Sequence, residues 1–380
     1  MTSNAPVRED VLYRALQQHL DKMPVPYPAT ESGVELRILK QLFTPDDARI
    51  TLCLAAIPEK LGTIRRRLTP AMDAEALTRA LDSMAKRGLI QRWPAKSGTL
   101  YGKSVFVVGF YEAQVNRLTP EFQRDVERYF DEGFAQALHG KQTPQLRTVP
   151  INATIPFERT VGNYDDVRTY LKGSAGPFAV MNCICQQGKD LLGQPCRQTH
   201  DREHCLTIGA AAHSMVGRGS ARFITQAEVL AFLDQADRDG LVVEPQNTQQ
   251  PLFICLCCGC CCGVLTTAKM LPQPADFFAT NYYAEVDAEG CDTCAVCGTR
   301  CQMDAIVFDD GPAAVKRERC IGCGLCVTAC PTGAIRLHTK ASPQLPPKDT
   351  GRLYARLMRE RFGALGVVAT VGRRLLGLKT

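Results

Sequence analysis

Between Ala284 and Leu337 two cysteine quartets follow one another: Cys291, Cys294, Cys297 and Cys301, then Cys320, Cys323, Cys326 and Cys330. Each reads C-x2-C-x2-C-x3-C, and the second ends in Cys330-Pro331. The segment repeats itself with a shift of 29 residues, which carries Val286 onto Val315, Cys291 onto Cys320, Cys301 onto Cys330 and Ala305-Ile306 onto Ala334-Ile335. Thiols two residues apart on a tight loop turn their sulfurs toward one point, so the pattern asks for thiolate-bound metal. Zinc is usually held by two separated ligand pairs, which leaves a doubled quartet unexplained. Disulfides need an oxidising compartment, and nothing in the sequence indicates one.

On these residues the segment resembles a bacterial-type ferredoxin domain with two [4Fe–4S] clusters. The resemblance implies crossed ligation, in which the fourth cysteine of each cluster comes from the other half of the repeat. Cys291, Cys294, Cys297 and Cys330 would then hold one cluster, and Cys320, Cys323, Cys326 and Cys301 the other. Small residues in the loops (Gly298, Gly322, Gly324) leave backbone N–H groups free to hydrogen-bond cluster sulfurs. One departure from the family is Gln302, where proline usually follows the fourth cysteine.

With 380 residues the chain is too long for one ferredoxin and has room for two to four domains. Nineteen cysteines are far above the ordinary; ten of them lie in two sets upstream of the repeat, and Cys53 stands alone. Cys53 sits among Leu52, Leu54, Ala55 and Ala56, which reads as a buried structural thiol. The stretch Met1 to Asp10 has no apolar signal core, and the longest apolar run, Gly363 to Gly372, is far short of a membrane span. The expected location is therefore cytoplasmic, with the tail able to lie against the inner face of the membrane. The net charge of +6 is concentrated in that tail. Lys348, Arg352, Arg356, Arg359, Arg361, Arg373, Arg374 and Lys379 stand there against only Asp349 and Glu360.

The expected fold class is multidomain α+β. Residues 1–140 read as a winged-helix-like domain. Helical periodicity begins at Val34, and Thr44-Pro45-Asp46-Asp47 starts a second helix. A third runs from Asp73 to Arg87 and stops at Gly88. A strand at Leu89-Ile90, a turn at Lys96-Ser97-Gly98 and a strand from Tyr101 to Val108 form the wing, and Thr119 to Leu138 adds a further helix. The third helix sets Asp73, Glu75 and Asp82 against Arg79, Lys86 and Arg87, so it has no basic face for phosphates. Arg65-Arg66-Arg67 reads as a solvated helix face, nucleic acid is not the expected partner, and protein docking is the preferred role.

Residues 141–165 read as a linker, 166–283 as a small α/β cysteine-rich middle domain, 284–340 as the ferredoxin-like dicluster domain, and 341–380 as a linker and basic amphipathic tail. In the middle domain, Phe178 to Met181 reads as a strand. Thr225 and Glu228 make a capping box for a helix that ends at Gly240 before the strand Leu241 to Val243. The domain also carries Cys183, Cys185, Cys196 and Cys205, with His200, His204 and His213 nearby, and the run Cys255, Cys257, Cys258, Cys260, Cys261 and Cys262. Six thiols in eight residues would be an oxidative liability unless ligated. A further iron–sulfur cluster is the first reading of these ten, with zinc the alternative. Cys257-Cys258-Gly259 resembles the CCG modules of heterodisulfide-reductase-type enzymes, although those modules are larger and carry duplicated CCG sequences. Most of the chain resembles uncharacterised iron–sulfur proteins that join winged-helix, cysteine-rich and dicluster ferredoxin segments.

These resemblances imply an electron-transfer protein with two [4Fe–4S] clusters, serving a redox partner protein rather than acting as a stand-alone enzyme. Its cysteines would be ligands, and no catalytic residue is expected. Neither a G-x-G-x-x-G after a strand nor a P-loop is present, so hydride chemistry and ATP coupling would belong to the partner. Two alternatives are a redox- or iron-sensing winged-helix regulator and an oxidoreductase with catalysis at a middle-domain cluster. The tail is expected to meet an acidic partner or a membrane surface.

Overall fold

A computed structural model describes residues 5–96, 98–140, 143–151 and 165–375. Ser97 of the expected turn, most of the expected linker (141–142 and 152–164) and Lys379 lie outside the described residues. The chain mixes helix and sheet and forms two compact units, Met1–Leu138 with Tyr354–Thr380, and His139–Leu353.

The first unit opens with α1 (Ala5–Asp21), α2 (Val34–Leu42) and α3 (Pro45–Thr51). Thr44 caps α3 as its sequence demands: its hydroxyl accepts from Asp47 N at 3.2 Å, and its own N–H donates to Asp47 Oδ2 at 2.9 Å. A short strand β1 (Glu59–Lys60), α4 (Leu61–Arg67) and α5 (Ala74–Lys86) follow, with Asp73 accepting from Ala76 N at 2.8 Å to start α5. The hairpin β2 (Ile90–Ala95) and β3 (Gly98–Lys103) joins β1 in an antiparallel sheet of order β1-β3-β2. β3 stops at Lys103 instead of running to Val108, because Phe106 and Phe110 turn inward. There their rings meet Tyr27 at 5.5 and 5.9 Å. The expected helix over Thr119 to Leu138 is α6 (Pro120–Tyr129), a wider turn at Phe130–Phe134, then α7 (Ala135–His139). Cys53 is buried and donates to the Arg67 carbonyl, a structural thiol.

The second unit takes in both cysteine-rich regions. Its core sheet is antiparallel, in the order β6 (Arg222–Ile224), β4 (Phe178–Met181), β5 (Cys205–Ile208), β8 (Phe253–Cys257) and β7 (Val242–Pro245). In chain order the elements are α8 (Val167–Gly173), β4 (Phe178–Met181), α9 (Ile184–Leu191), β5 (Cys205–Ile208), α10 (Ala210–Gly217) and β6 (Arg222–Ile224). Then come α11 (Gln226–Asp239), β7 (Val242–Pro245), β8 (Phe253–Cys257) and α12 (Gly263–Lys269). The Thr225–Glu228 capping box starts α11, and Gly240 ends it in the left-handed region at φ 74°. Residues 145–151 are not a solvated tether: Val149 and Ile151 are buried, and Val149 bridges to Val243 of β7.

The ferredoxin-like part pairs β9 (Tyr282–Val286) with β12 (Ile335–Thr339), and β10 (Ile306–Phe308) with β11 (Ala313–Val315). Two one-turn helices, α13 (Val296–Arg300) and α14 (Leu325–Ala329), follow the cysteine loops. The 29-residue shift of the sequence repeat carries β9 onto β11, α13 onto α14 and β10 onto β12. α15 (Thr350–Leu375) carries the basic tail and breaks at Gly363. Its first turns are anchored, with Leu353 and Leu357 buried and Arg361 donating to the Met23 carbonyl at 2.7 Å. Beyond the break Leu365 and Val368 are exposed. Among the described residues no helix is long and apolar enough to cross a membrane.

Candidate metal centres

The two halves of the ferredoxin-like repeat share a backbone. Each cysteine loop needs left-handed residues to turn sulfurs inward, and they occur at equivalent places: Thr293 and Gly322, Ala295 and Gly324, Asp304 and Gly333. In the second half Cys320, Cys323 and Cys326 line one enclosed cavity, and the fourth thiol in its wall is Cys301 from the first half. Backbone N–H groups already point at these sulfurs, Ala284 N to Cys320 Sγ at 3.3 Å and Ala305 N to Cys301 Sγ at 3.2 Å. Burial pushes the Cys323 and Cys326 thiols up, and the neighbouring thiols reinforce the shift. Four converging sulfurs with N–H donors around them fit a thiolate-bound cluster, whose metal would hold all four ionised.

The first half is open to water. Cys294 is exposed, Cys291 is half-buried and Cys297 alone is buried, its thiol raised by burial with Cys291 and Cys294 as charged neighbours. Cys330 is half-buried and lies 3.6 Å from the Thr332 hydroxyl.

The ten middle-region thiols separate into two groups. In the first, the sulfurs of Cys196, Cys258, Cys260 and Cys261 all lie within 4.8 Å of one another. Cys196 is 3.6 Å from Cys258 and 3.8 Å from Cys260, and Cys260 is 3.6 Å from Cys261. These neighbours, Cys258 foremost, pull the Cys196 thiol far below its ordinary range. Gln186, which the sequence did not single out, donates its amide to Cys196 Sγ at 3.4 Å. His204 Nδ1 donates to the Gln186 carbonyl at 2.8 Å and so orients it, one layer outside the sulfurs. His213 stands elsewhere, against the Phe223 ring.

The second group follows from sheet register. Cross-strand partners share a face, and so do residues two apart on one strand. Cys255 pairs with Cys205 on one side and Glu244 on the other, while Cys257 is two residues further along β8. Cys185 is in hydrogen-bonding reach of Cys183 and Cys262, and Cys262 of Cys257. Ligand atoms of Glu244, Cys257 and Cys262 lie within 4.8 Å of each other. Glu244 is wholly buried, and burial pushes its carboxyl up to about 8. Nothing in the sequence pattern marked it.

Gln302 joins the two cysteine-rich regions. Its side-chain carbonyl accepts from Gly259 N at 2.7 Å, between Cys258 and Cys260, and a Cβ at Gly259 would stand 2.3 Å from the Gln302 carbonyl. A proline at 302, usual in the resembled family, could not accept this bond.

The 4Fe–4S binding domain model matches residues 313–336, which contain Cys320, Cys323, Cys326 and Cys330. The chain therefore carries a [4Fe–4S] binding domain beside a cysteine-rich region able to hold metal. No curated protein and no solved structure matches the chain.

Proposed function

We propose that this chain is an electron-transfer protein that passes electrons through two [4Fe–4S] clusters to a partner oxidoreductase. The carrying observation is the cavity shared by Cys301 with Cys320, Cys323 and Cys326, which supports crossed ligation. By the repeat, Cys330 joins Cys291, Cys294 and Cys297. When bound, such clusters exchange single electrons at potentials set by hydrogen bonds to sulfur and by exposure. The chain supplies thiolates, N–H donors at Cys320 and Cys301, and a buried wall around the second half. Iron and acid-labile sulfide counts with EPR on the anaerobically purified chain test this. Two interacting cubane signals are expected, and a single cubane or none overturns it.

The four-sulfur site of Cys196, Cys258, Cys260 and Cys261 is better suited to one tetrahedral ion than to a cubane. At a metal–sulfur distance of about 2.3 Å, tetrahedral ligand sulfurs stand ~3.8 Å apart. A cubane takes one thiolate per iron and holds its sulfurs much farther apart. Separations of 3.6 to 3.8 Å for Cys196–Cys258, Cys196–Cys260 and Cys260–Cys261, with all four sulfurs within 4.8 Å, favour a single zinc or iron.

The element order of the first unit supports a winged-helix-like docking module rather than a DNA reader. Three of the cations on or beside α5 are engaged, Arg79 with Glu75, Arg87 with Asp47 and Arg92 with Asp82. A gel shift at physiological salt should be negative. The basic tail beyond Gly363, with Leu365 and Val368 exposed, is the proposed contact for an acidic partner or anionic lipid.

A further inference from the structure

Glu244 belongs neither to the ferredoxin segment nor to the four-sulfur site, yet it sits where a charge is hardest to keep. Its side chain is inaccessible to water, and neither carboxylate oxygen has a hydrogen bond of normal geometry. Cys257 and Thr148 are merely its nearest polar neighbours, and no cation pairs with it among the described residues. A buried carboxylate without donor or counter-ion is among the costliest features a core can contain. A buried carboxylate at this place on the edge strand β7 therefore needs a reason.

Its surroundings supply one. Glu244 lies opposite Cys255 across the β7–β8 pair, and Cys205 lies opposite Cys255 on the other side. The thiols then run on in contact: Cys255 with Cys257, Cys257 with Cys262, Cys262 with Cys185, and Cys185 with Cys183. Six sulfurs and one carboxylate thus form a continuous string with Glu244, Cys257 and Cys262 mutually within 4.8 Å, drawn from elements other than those carrying Cys196 or the loop of Cys258, Cys260 and Cys261, save where β8 and α12 flank that loop.

We propose that Glu244 is a metal ligand, contributing its carboxylate with Cys257 and Cys262 to a second middle-region centre completed by Cys183, Cys185, Cys205 and Cys255. This rests on the reading that the middle-region cysteines ligate metal. A single tetrahedral ion takes four ligands. Seven donors therefore call for more than one metal ion, and the thiolate majority suits iron with bridging sulfide, the metal already implied by the [4Fe–4S] binding domain. The carboxylate adds a hard oxygen donor to a soft set, which distinguishes this centre chemically from the all-sulfur site beside it.

The test uses the full chain, purified anaerobically and reconstituted with iron and sulfide, as wild type, Glu244→Gln and Glu244→Asp. Metal content is combined with native alkylation, trypsin digestion and mass spectrometry. Cleavage at Lys189 puts Cys183 and Cys185 on one peptide and Cys196 on the next. The wild type should protect both peptides. Glu244→Gln should lose roughly two irons or more per chain and expose Cys183 and Cys185, with Cys196 still protected. Glu244→Asp should retain the iron with an altered EPR or Mössbauer signature. Unchanged iron and protection in Glu244→Gln overturns the proposal. If Glu244→Gln fails to fold, an unaltered signature in Glu244→Asp overturns it instead. A wild type with cubane iron and a protected Cys196 but with Cys183 and Cys185 alkylated rejects the second centre and leaves the electron-transfer reading standing. Loss of protection at Cys196 as well rejects the reading beneath it.

Discussion

The two halves of the ferredoxin-like repeat have one backbone and two environments. Where the second half turns on Gly322, Gly324 and Gly333, the first turns on Thr293, Ala295 and Asp304 at the same left-handed positions. Left-handed backbone costs an ordinary residue roughly 1–2 kcal/mol, and a β-branched threonine is least suited to it. The second half has no such choice at 322, where a Cβ would meet the Tyr282 carbonyl oxygen at 2.3 Å and the Thr280 hydroxyl at 2.7 Å. The cause is packing. Ile321 and Leu325 belong to the core of the middle sheet, and the Cys323 carbonyl accepts from Ile151 N at 2.9 Å. The loop of Cys291 and Cys294 faces water instead. A duplicated motif has thus become a buried site joined to the middle region and an open site facing out. On the proposed electron-transfer reading that asymmetry would set a direction, with the open half as the proposed port for a partner.

The largest effect should come from Cys301→Ala. Crossed ligation predicts loss of the cluster held by Cys320, Cys323 and Cys326, about half the ferredoxin iron, with the first-half EPR signal retained. Loss of the first-half signal instead would mean that each half keeps its own fourth cysteine. Gly322→Ala comes next, because backbone carbonyl cannot yield as a side chain can; unfolding of the second unit should shift by about 1–3 kcal/mol or more. An unchanged denaturation midpoint would show that the close approach at Tyr282 relaxes freely. Gln302→Pro removes the acceptor of the Gly259 N–H and should cost about 1–3 kcal/mol, while the first-half cluster is untouched.

Smaller effects sharpen the contrast. Thr293→Gly copies the second half into the first and should stabilise the chain by roughly 0.5–1 kcal/mol, measured by chemical denaturation. A destabilised variant would mean that the threonine makes contacts which outweigh its strain. Removing residues 363–380 should leave iron content and stability unchanged in both halves and should weaken salt-sensitive binding to anionic vesicles. Cutting at 348 is a different experiment, since Leu353 and Leu357 are buried and their loss would expose core.

Much of this was legible in the chain. The quartet spacing and its repeat announced the cysteine loops, and the caps at Thr44 and Thr225 announced their helices, because those signals are local. The [4Fe–4S] binding domain rests on the second quartet, where family model and motif coincide. What escaped was tertiary. A buried ladder residue such as Glu244 looks like any strand glutamate until register sets it against Cys255. The ten middle cysteines could not be sorted by spacing, since adjacent Cys257 and Cys258 fall into different groups. Gln186 became visible only when the sheet brought it to Cys196. The second strand of the hairpin was drawn too long because Val105 to Val108 has the composition of a strand, while the aromatic core decides where the chain turns.

The contact between Gly259 and Gln302 bears on how the protein matures. With no room for even a methyl group between the two backbones, the loop of Cys258, Cys260 and Cys261 and the end of the first cysteine quartet close together or not at all. Cys258 and Cys261 are then sealed from water. On the proposed ligation, metal would reach these two thiols while the chain is still open, so loading would become part of folding rather than a sequel to it. A chain synthesised without metal should stall with that loop undocked, exposed to proteases and oxidants, and late addition of metal should let the loop dock.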